Sequence, residues 1–161
     1  MKDRTRRIVV FVFATLLISL LTACGGGAPR VDWDLTISGA VDNPTTYSYK
    51  ELTQKEQTDL TDILMEKSEG EDLTTSWSGV AVDLLFEEAG VSTYESVTAI
   101  AGDGYAIDIT PDEMQGAIVA LKRNDEWITE VEPDKGPIRL VCPETPANRW
   151  VFQLQELQVN P

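Results

Sequence analysis

The sequence contains no histidine. That absence removes Ser-His-Asp and Cys-His nucleophilic catalysis, imidazole general bases and imidazole-bound zinc together. Basic residues are scarce as well: 13 Lys and Arg stand against 27 Asp and Glu in 161 residues, for a net charge of −14. A surface of that sign repels phosphate backbones, which excludes nucleic acid as a partner. Cysteine occurs only at Cys24 and Cys142. No internal repeat and no second domain are visible, and no pair of carboxylates sits in a context that argues for acid–base catalysis.

What is present begins with a leader. Lys2, Arg4, Arg6 and Arg7 precede an apolar run over 8–21 that only Thr15 and Ser19 interrupt. A charged start, a short apolar core and small residues before a cleavage point describe a secretory signal. The run is short for a membrane span of about 20 residues. Leu21-Thr22-Ala23-Cys24 resembles a bacterial lipobox, which implies cleavage before Cys24 and a diacylglycerol on its sulfur. An ordinary signal peptide and an uncleaved anchor are the other readings of the same run. On the lipobox reading, 1–23 is the signal, 24–30 a lipidated flexible tether and 31–161 the folded domain, carried on the extracytoplasmic side of the cell membrane. Processing leaves 138 residues, enough for one domain with one core. It also removes four basic residues and Asp3, so 9 basic face 26 acidic groups, a balance of −17. With Cys24 lipidated, Cys142 is the sole thiol and no intramolecular disulfide is possible.

Period-two alternation at Trp33, Leu35 and Ile37 predicts a half-buried strand. Ser48 three residues before Glu51 is a capping-box spacing that starts a short helix over 49–55. Residues 56–76 admit two readings. Leu60, Ile63, Leu64 and Lys67 fit a helical spacing, while Ser68-Glu69-Gly70-Glu71 fits the turn of a hairpin joining 58–66 to 72–77; the hairpin is preferred. Val80, Val82, Leu84, Leu85 and Ala89 predict the apolar side of a helix that Gly90 stops. Strands over 97–101 and 105–109 flank a Gly102-Asp103-Gly104 turn. Thr110-Pro111-Asp112-Glu113 reads as the start of a one-turn helix. Strands follow over 117–122 and 138–142, separated by an acidic loop over 130–135. In the last stretch Trp150, Phe152 and Leu154 alternate with polar or outward positions before the apolar phase flips to Leu157 and Val159, which predicts a bulge. Many short strands with two or three short helices give an α+β class: one domain around a mixed-sheet or barrel-like core.

Four segments in order resemble the molybdopterin-binding domain of the sulfite oxidase family. They are Leu35-Thr36-Ile37-Ser38-Gly39 with Val41, Asn43-Pro44 and Tyr49-Lys50-Glu51-Leu52; Trp77-Ser78-Gly79-Val80 through Ala89-Gly90-Val91; Asp103-Gly104-Tyr105; and Gly136-Pro137-Ile138-Arg139-Leu140-Val141 with Pro143, Arg149-Trp150-Val151 and Leu154. The resemblance supports the hairpin over 58–77 and implies a molybdopterin-dependent oxidoreductase. It also implies a metal-ligating cysteine thiolate a few residues before Trp77, and the stretch 65–76 has none. Lys135 stands where the closing run tends to carry histidine. A soft metal centre without its thiolate has no explanation in these residues.

The candidate ligand-binding residues are Asp103, Tyr105, Arg139 and Arg149. Asp103 between glycines also fits a hairpin turn that uses its carboxylate to satisfy backbone donors. Arg139 within an apolar strand fits either an anion pocket or a paired arginine at the edge of the core. Trp77, Trp127 and Trp150 fit packing before ligand stacking. Glu130, Glu132 and Asp134 match no calcium-loop spacing and read as a solvated loop. Cys142 reads as a small buried apolar residue. The preferred function is a lipid-anchored module of the cell envelope that binds a small ligand or an envelope protein, with no catalytic residue, no metal and no cofactor. The alternatives are a molybdopterin oxidoreductase and a purely structural envelope lipoprotein.

Overall fold

A computed structural model describes residues 27–161; the leader, Cys24 and the start of the tether lie outside the described residues. The chain builds two sheets. In the first, the order is β2 (Thr45–Ser48), β1 (Asp34–Gly39), β11 (Leu154–Asn160), β5 (Ser96–Ala101) and β6 (Ala106–Ile109). β1 and β11 run parallel and the other neighbours antiparallel. The expected alternation holds in β1, where Leu35 and Ile37 are fully buried between partly or fully exposed polar residues. In the second sheet the order is β10 (Val151–Phe152), β9 (Arg139–Val141), β7 (Ile118–Arg123), β4 (Leu73–Ala81) and β3 (Thr58–Met65), with β8 (Glu126–Trp127) also against β7.

The expected hairpin is present: β3 and β4 pair antiparallel, from Thr58 opposite Gly79 to Met65 opposite Leu73. A register shift between Leu60 and Ile63 accompanies Asp62 at φ 54°. This is how the helix-like spacing of Leu60, Ile63 and Leu64 is reconciled with a strand. At the next ladder, Gly79 is required by space: a Cβ there would overlap the Val119 carbonyl of β7. With no side chain the two backbones close up.

Helices cover the sheets. α1 (Tyr49–Gln54) starts on Ser48, with both halves of the capping box formed, and buries Tyr49 and Leu52. α2 (Val82–Ala89) buries Val82, Leu85, Phe86 and Ala89, and Gly90 ends it at φ 74°. Each large side chain buried there contributes about 1.5–3 kcal/mol. Val80 belongs to β4, so the apolar run that suggested one helix is shared between a strand end and a helix start. The stretch after Thr110 closes as turns without helix, although Glu113 and Thr110 exchange capping hydrogen bonds. The acidic loop begins as a short helix, α3 (Ile128–Val131). In the last stretch Val151 is buried and Phe152 is 38% exposed, because Gln153 turns the chain at φ 48° before β11. A second irregularity falls between Leu154 and Glu156, where the phase flip predicted a bulge. A 3₁₀ turn (Ala147–Arg149) leads into β10.

Candidate ligand-binding cleft

All three residues of β9 are buried, including Arg139 at 0% exposure. Its guanidinium carbon lies 4.0 Å from the centre of the Phe152 ring, 4.9 Å from Trp77 and 5.5 Å from Trp150. The sheet explains this box: Phe152 is the cross-strand partner of Arg139, and Trp77 and Trp150 meet edge to face at 5.8 Å. Trp150 is held in turn by donating its indole N–H to the Cys142 carbonyl at 2.8 Å.

Hydrogen bonds to Arg139 are missing. Its Nε, Nη1 and Nη2 are all buried without a partner. The nearest carboxylate oxygen, Oε2 of Glu132, stands 3.7 Å from Nη1, beyond hydrogen-bond reach, and is itself unpartnered. Glu132 is drawn the other way, its Oε1 lying 3.1 Å from Arg123 Nη1 and 3.3 Å from Lys135 Nζ. One carboxylate thus serves three cations, leaving local positive charge in an acidic protein. Burial holds the Arg139 guanidinium down to about 10; Glu132 acts against that and Arg123 with it. A buried donor set without acceptors costs about 1–3 kcal/mol or more. An acceptor that reached these donors would recover that cost.

The route is a hollow of about 320 Å³ beside Arg139, lined also by Met65, Lys67, Ser68, Lys135 and Phe152. A second hollow of about 330 Å³ adjoins it, with Asp103, Tyr105, Asp134, Trp150 and Gln153 in its wall. Ala147, Asn148 and Phe152 line both. A larger hollow of about 600 Å³, against Tyr49 and the segment Ala28 to Val31, has only exposed Arg30 and Lys50 as charged groups. It offers no buried ligand group of the Arg139 kind.

Of the candidate residues, Asp103, Tyr105 and Arg139 come together along this cleft. Asp103 also serves its turn, accepting the Tyr105 N–H at 2.9 Å. Arg149 lines neither hollow. It donates from Nε and Nη2 to Glu113 at 2.7 and 2.9 Å, and from Nη2 to the Asp108 carbonyl at 2.7 Å. That bidentate bond and the Thr110 cap hold the Glu113 carboxyl down at about 2. Lys67 and Phe152 were not foreseen at the cleft, nor Glu132 beside Arg139. Glu132, read as part of a solvated loop, has a side chain only 14% exposed.

Residues 26–161 match the oxidoreductase molybdopterin-binding domain family. The chain belongs to that family. Among solved structures it is similar to the sulfane dehydrogenase SoxCD from Paracoccus pantotrophus, with a TM-score of 0.71 and 21% identity. The match covers 83% of this chain and 40% of that one, so the present chain spans well under half of the enzyme it resembles. No curated protein matches the sequence. The family accounts for the α+β fold.

The donor set of this family member does not suit the metal half of a molybdopterin cofactor. The stretch 65–76, where the family resemblance places the thiolate, does reach the cleft, but it presents Met65, Lys67, Ser68 and Glu69 there. Met65 offers a lone neutral thioether. Cys142 is fully buried, its thiol pushed up to about 12 by burial and then by Glu113, against Arg149. Among the described residues no three His, Cys, Asp or Glu side chains gather as a metal site. What the hollow at Arg139 supplies is mainly cationic and hydrogen-bonding, which suits an anion and leaves a soft metal without a ligand.

Proposed function

We propose that this protein is a binding module of the cell envelope, held to the membrane by a lipid on Cys24, that takes a small anionic ligand at Arg139 and performs no molybdenum chemistry. The carrying observation is the Arg139 guanidinium: buried, boxed by three aromatic rings and without a hydrogen-bond acceptor beside an open hollow. A carboxylate or other planar oxyanion would accept two parallel N–H bonds from it, the strongest neutralisation such a fork can receive. The rings fix the fork in place, so little side-chain entropy is lost when the anion binds.

Lys67 and Lys135 line the same hollow and add attraction without rigid geometry. Glu132 is held by Arg123 and Lys135, which leaves its Oε2 3.7 Å from Arg139 Nη1, too far for a hydrogen bond. The lipid anchor rests on the likeness of Leu21-Thr22-Ala23-Cys24 to a lipobox.

Titration calorimetry with sodium hexanoate tests the ligand reading on the purified lipidated protein in detergent. Saturable binding that Arg139→Met removes is expected. Absence of binding in the wild type, or equal binding by a folded Arg139→Met variant, overturns it. Labelling of growing cells with radioactive palmitate tests the anchor, with label expected on the wild type and lost in Cys24→Ser. A second reading, an active molybdopterin oxidoreductase, is favoured by the family match; stoichiometric molybdenum and a fluorescent pterin released from the pure protein would establish it.

A further inference from the structure

The charge in the cleft is sorted by end. Around Arg139 the hollow carries Lys67 and Lys135 against Glu69 alone. The adjoining hollow carries Asp103 and Asp134 and no basic side chain. The two share a wall at Ala147, Asn148 and Phe152, so one molecule can lie across both.

We propose that the ligand is a small dipolar molecule, a carboxylic acid that also bears an ammonium group, with its acid on Arg139 and its ammonium between Asp103 and Asp134. This rests on Arg139 as the anion site and adds the identity of the other end.

Three further observations carry it. Tyr105 is 49% exposed and lines the acidic hollow beside Asp103, giving an ammonium both a ring face and a carboxylate. The Phe152 ring, exposed and already set against Arg139, offers an apolar surface to the carbon chain between the two charges. Each hollow, at about 320 or 330 Å³, sits at the small end of ligand pockets and gives one charged end of the molecule its own compartment. The charge balance points the same way. A protein of net charge −14 repels a simple anion on approach, whereas a molecule of zero net charge meets no such barrier and still neutralises both ends of the cleft.

The experiment is calorimetry of the lipidated protein against a ladder of ω-amino acids from 4-aminobutyrate to 8-aminooctanoate. The matching fatty acids and hexylamine serve as single-charge probes. The best amino acid is expected to bind about tenfold tighter than the acid of equal length. The double variant Asp103→Asn with Asp134→Asn, both at exposed positions, is expected to lose that advantage and keep the fatty-acid affinity. Equal binding of acids and amino acids at every length overturns the dipolar assignment while leaving Arg139 as an anion site. So does an advantage that survives the double variant, or hexylamine binding as tightly as the best amino acid. Binding of neither acid nor amino acid overturns the Arg139 reading itself.

Discussion

Phe152 lies directly across the antiparallel ladder from Arg139, its ring centre 4.0 Å from the guanidinium carbon. Lys135 sits over the same ring at 5.3 Å. One aromatic side chain therefore supports two of the cations that give the cleft its sign. Phe152→Leu keeps an apolar side chain and removes the ring quadrupole; a loss of about 0.5–2 kcal/mol in urea-unfolding stability is expected. Hexanoate affinity should fall with it, since the guanidinium loses a wall. Unchanged stability and affinity would show that the ring is a bystander.

Arg149 and Glu113 supply a pH signature. Hydrogen bonding from Arg149, and then from Thr110, holds the Glu113 carboxyl at about 2, below its usual 4.5. Because the folded value is the lower one, the pair stabilises fully above about pH 4.5 and its contribution fades as pH falls toward 2. Both side chains are more than a quarter exposed, so solvent limits the effect to about 1 kcal/mol. Urea midpoints at pH 6 and pH 2.5 should therefore differ less in Glu113→Gln than in the wild type. An identical pH dependence in the two proteins would sink the assignment.

Cys142 is predicted to be inert. Its thiol is buried and held near 12, so at pH 8 almost none is the reactive thiolate. Dithionitrobenzoate should label Cys142 slowly in the native protein and rapidly in guanidinium. Fast labelling in the native state would show that this strand opens.

Gly79→Ala tests the close approach of β4 to β7. The new methyl meets the Val119 carbonyl, so β4 and β7 must separate or the substitution fails. A loss of about 1–3 kcal/mol in urea unfolding, or no folded protein at all, is the expected result. A stability equal to that of the wild type would mean that the two strands sit further apart.

Molybdenum content follows from the donor set. Protein purified from cells grown with molybdate should carry no stoichiometric molybdenum by elemental analysis, because the residues facing the cleft from 65–76 include no thiolate. One metal per chain would reverse the functional reading while leaving the fold intact.

The strands and α1 were legible because their signals are local: alternation in β1, a capping box at Ser48, turn residues between β3 and β4. The boundary at Val80 was not, since the end of a buried strand and the start of a buried helix are equally apolar. Asp103 and Arg139 could be nominated from the sequence, but not their shared cleft, which depends on Gln153 turning Phe152 outward. Glu132 was misread because its partners come from β7, from its own loop and from β9, and no local pattern announces them. Arg149 carried a plausible charge at a plausible place, and only the position of Glu113 shows that its hydrogen bonds are spent.

The place of β11 in the first sheet governs when the domain can form. It is flanked by β1 on one side and β5 on the other, so the strands nearest each end of the fold are immediate neighbours. During synthesis, β1 must wait for residues more than a hundred positions away before its parallel edge is covered. Such long-range closure is slow and is completed last. The first sheet thus stays open beside β1 until its final strand arrives, and it closes in one late step.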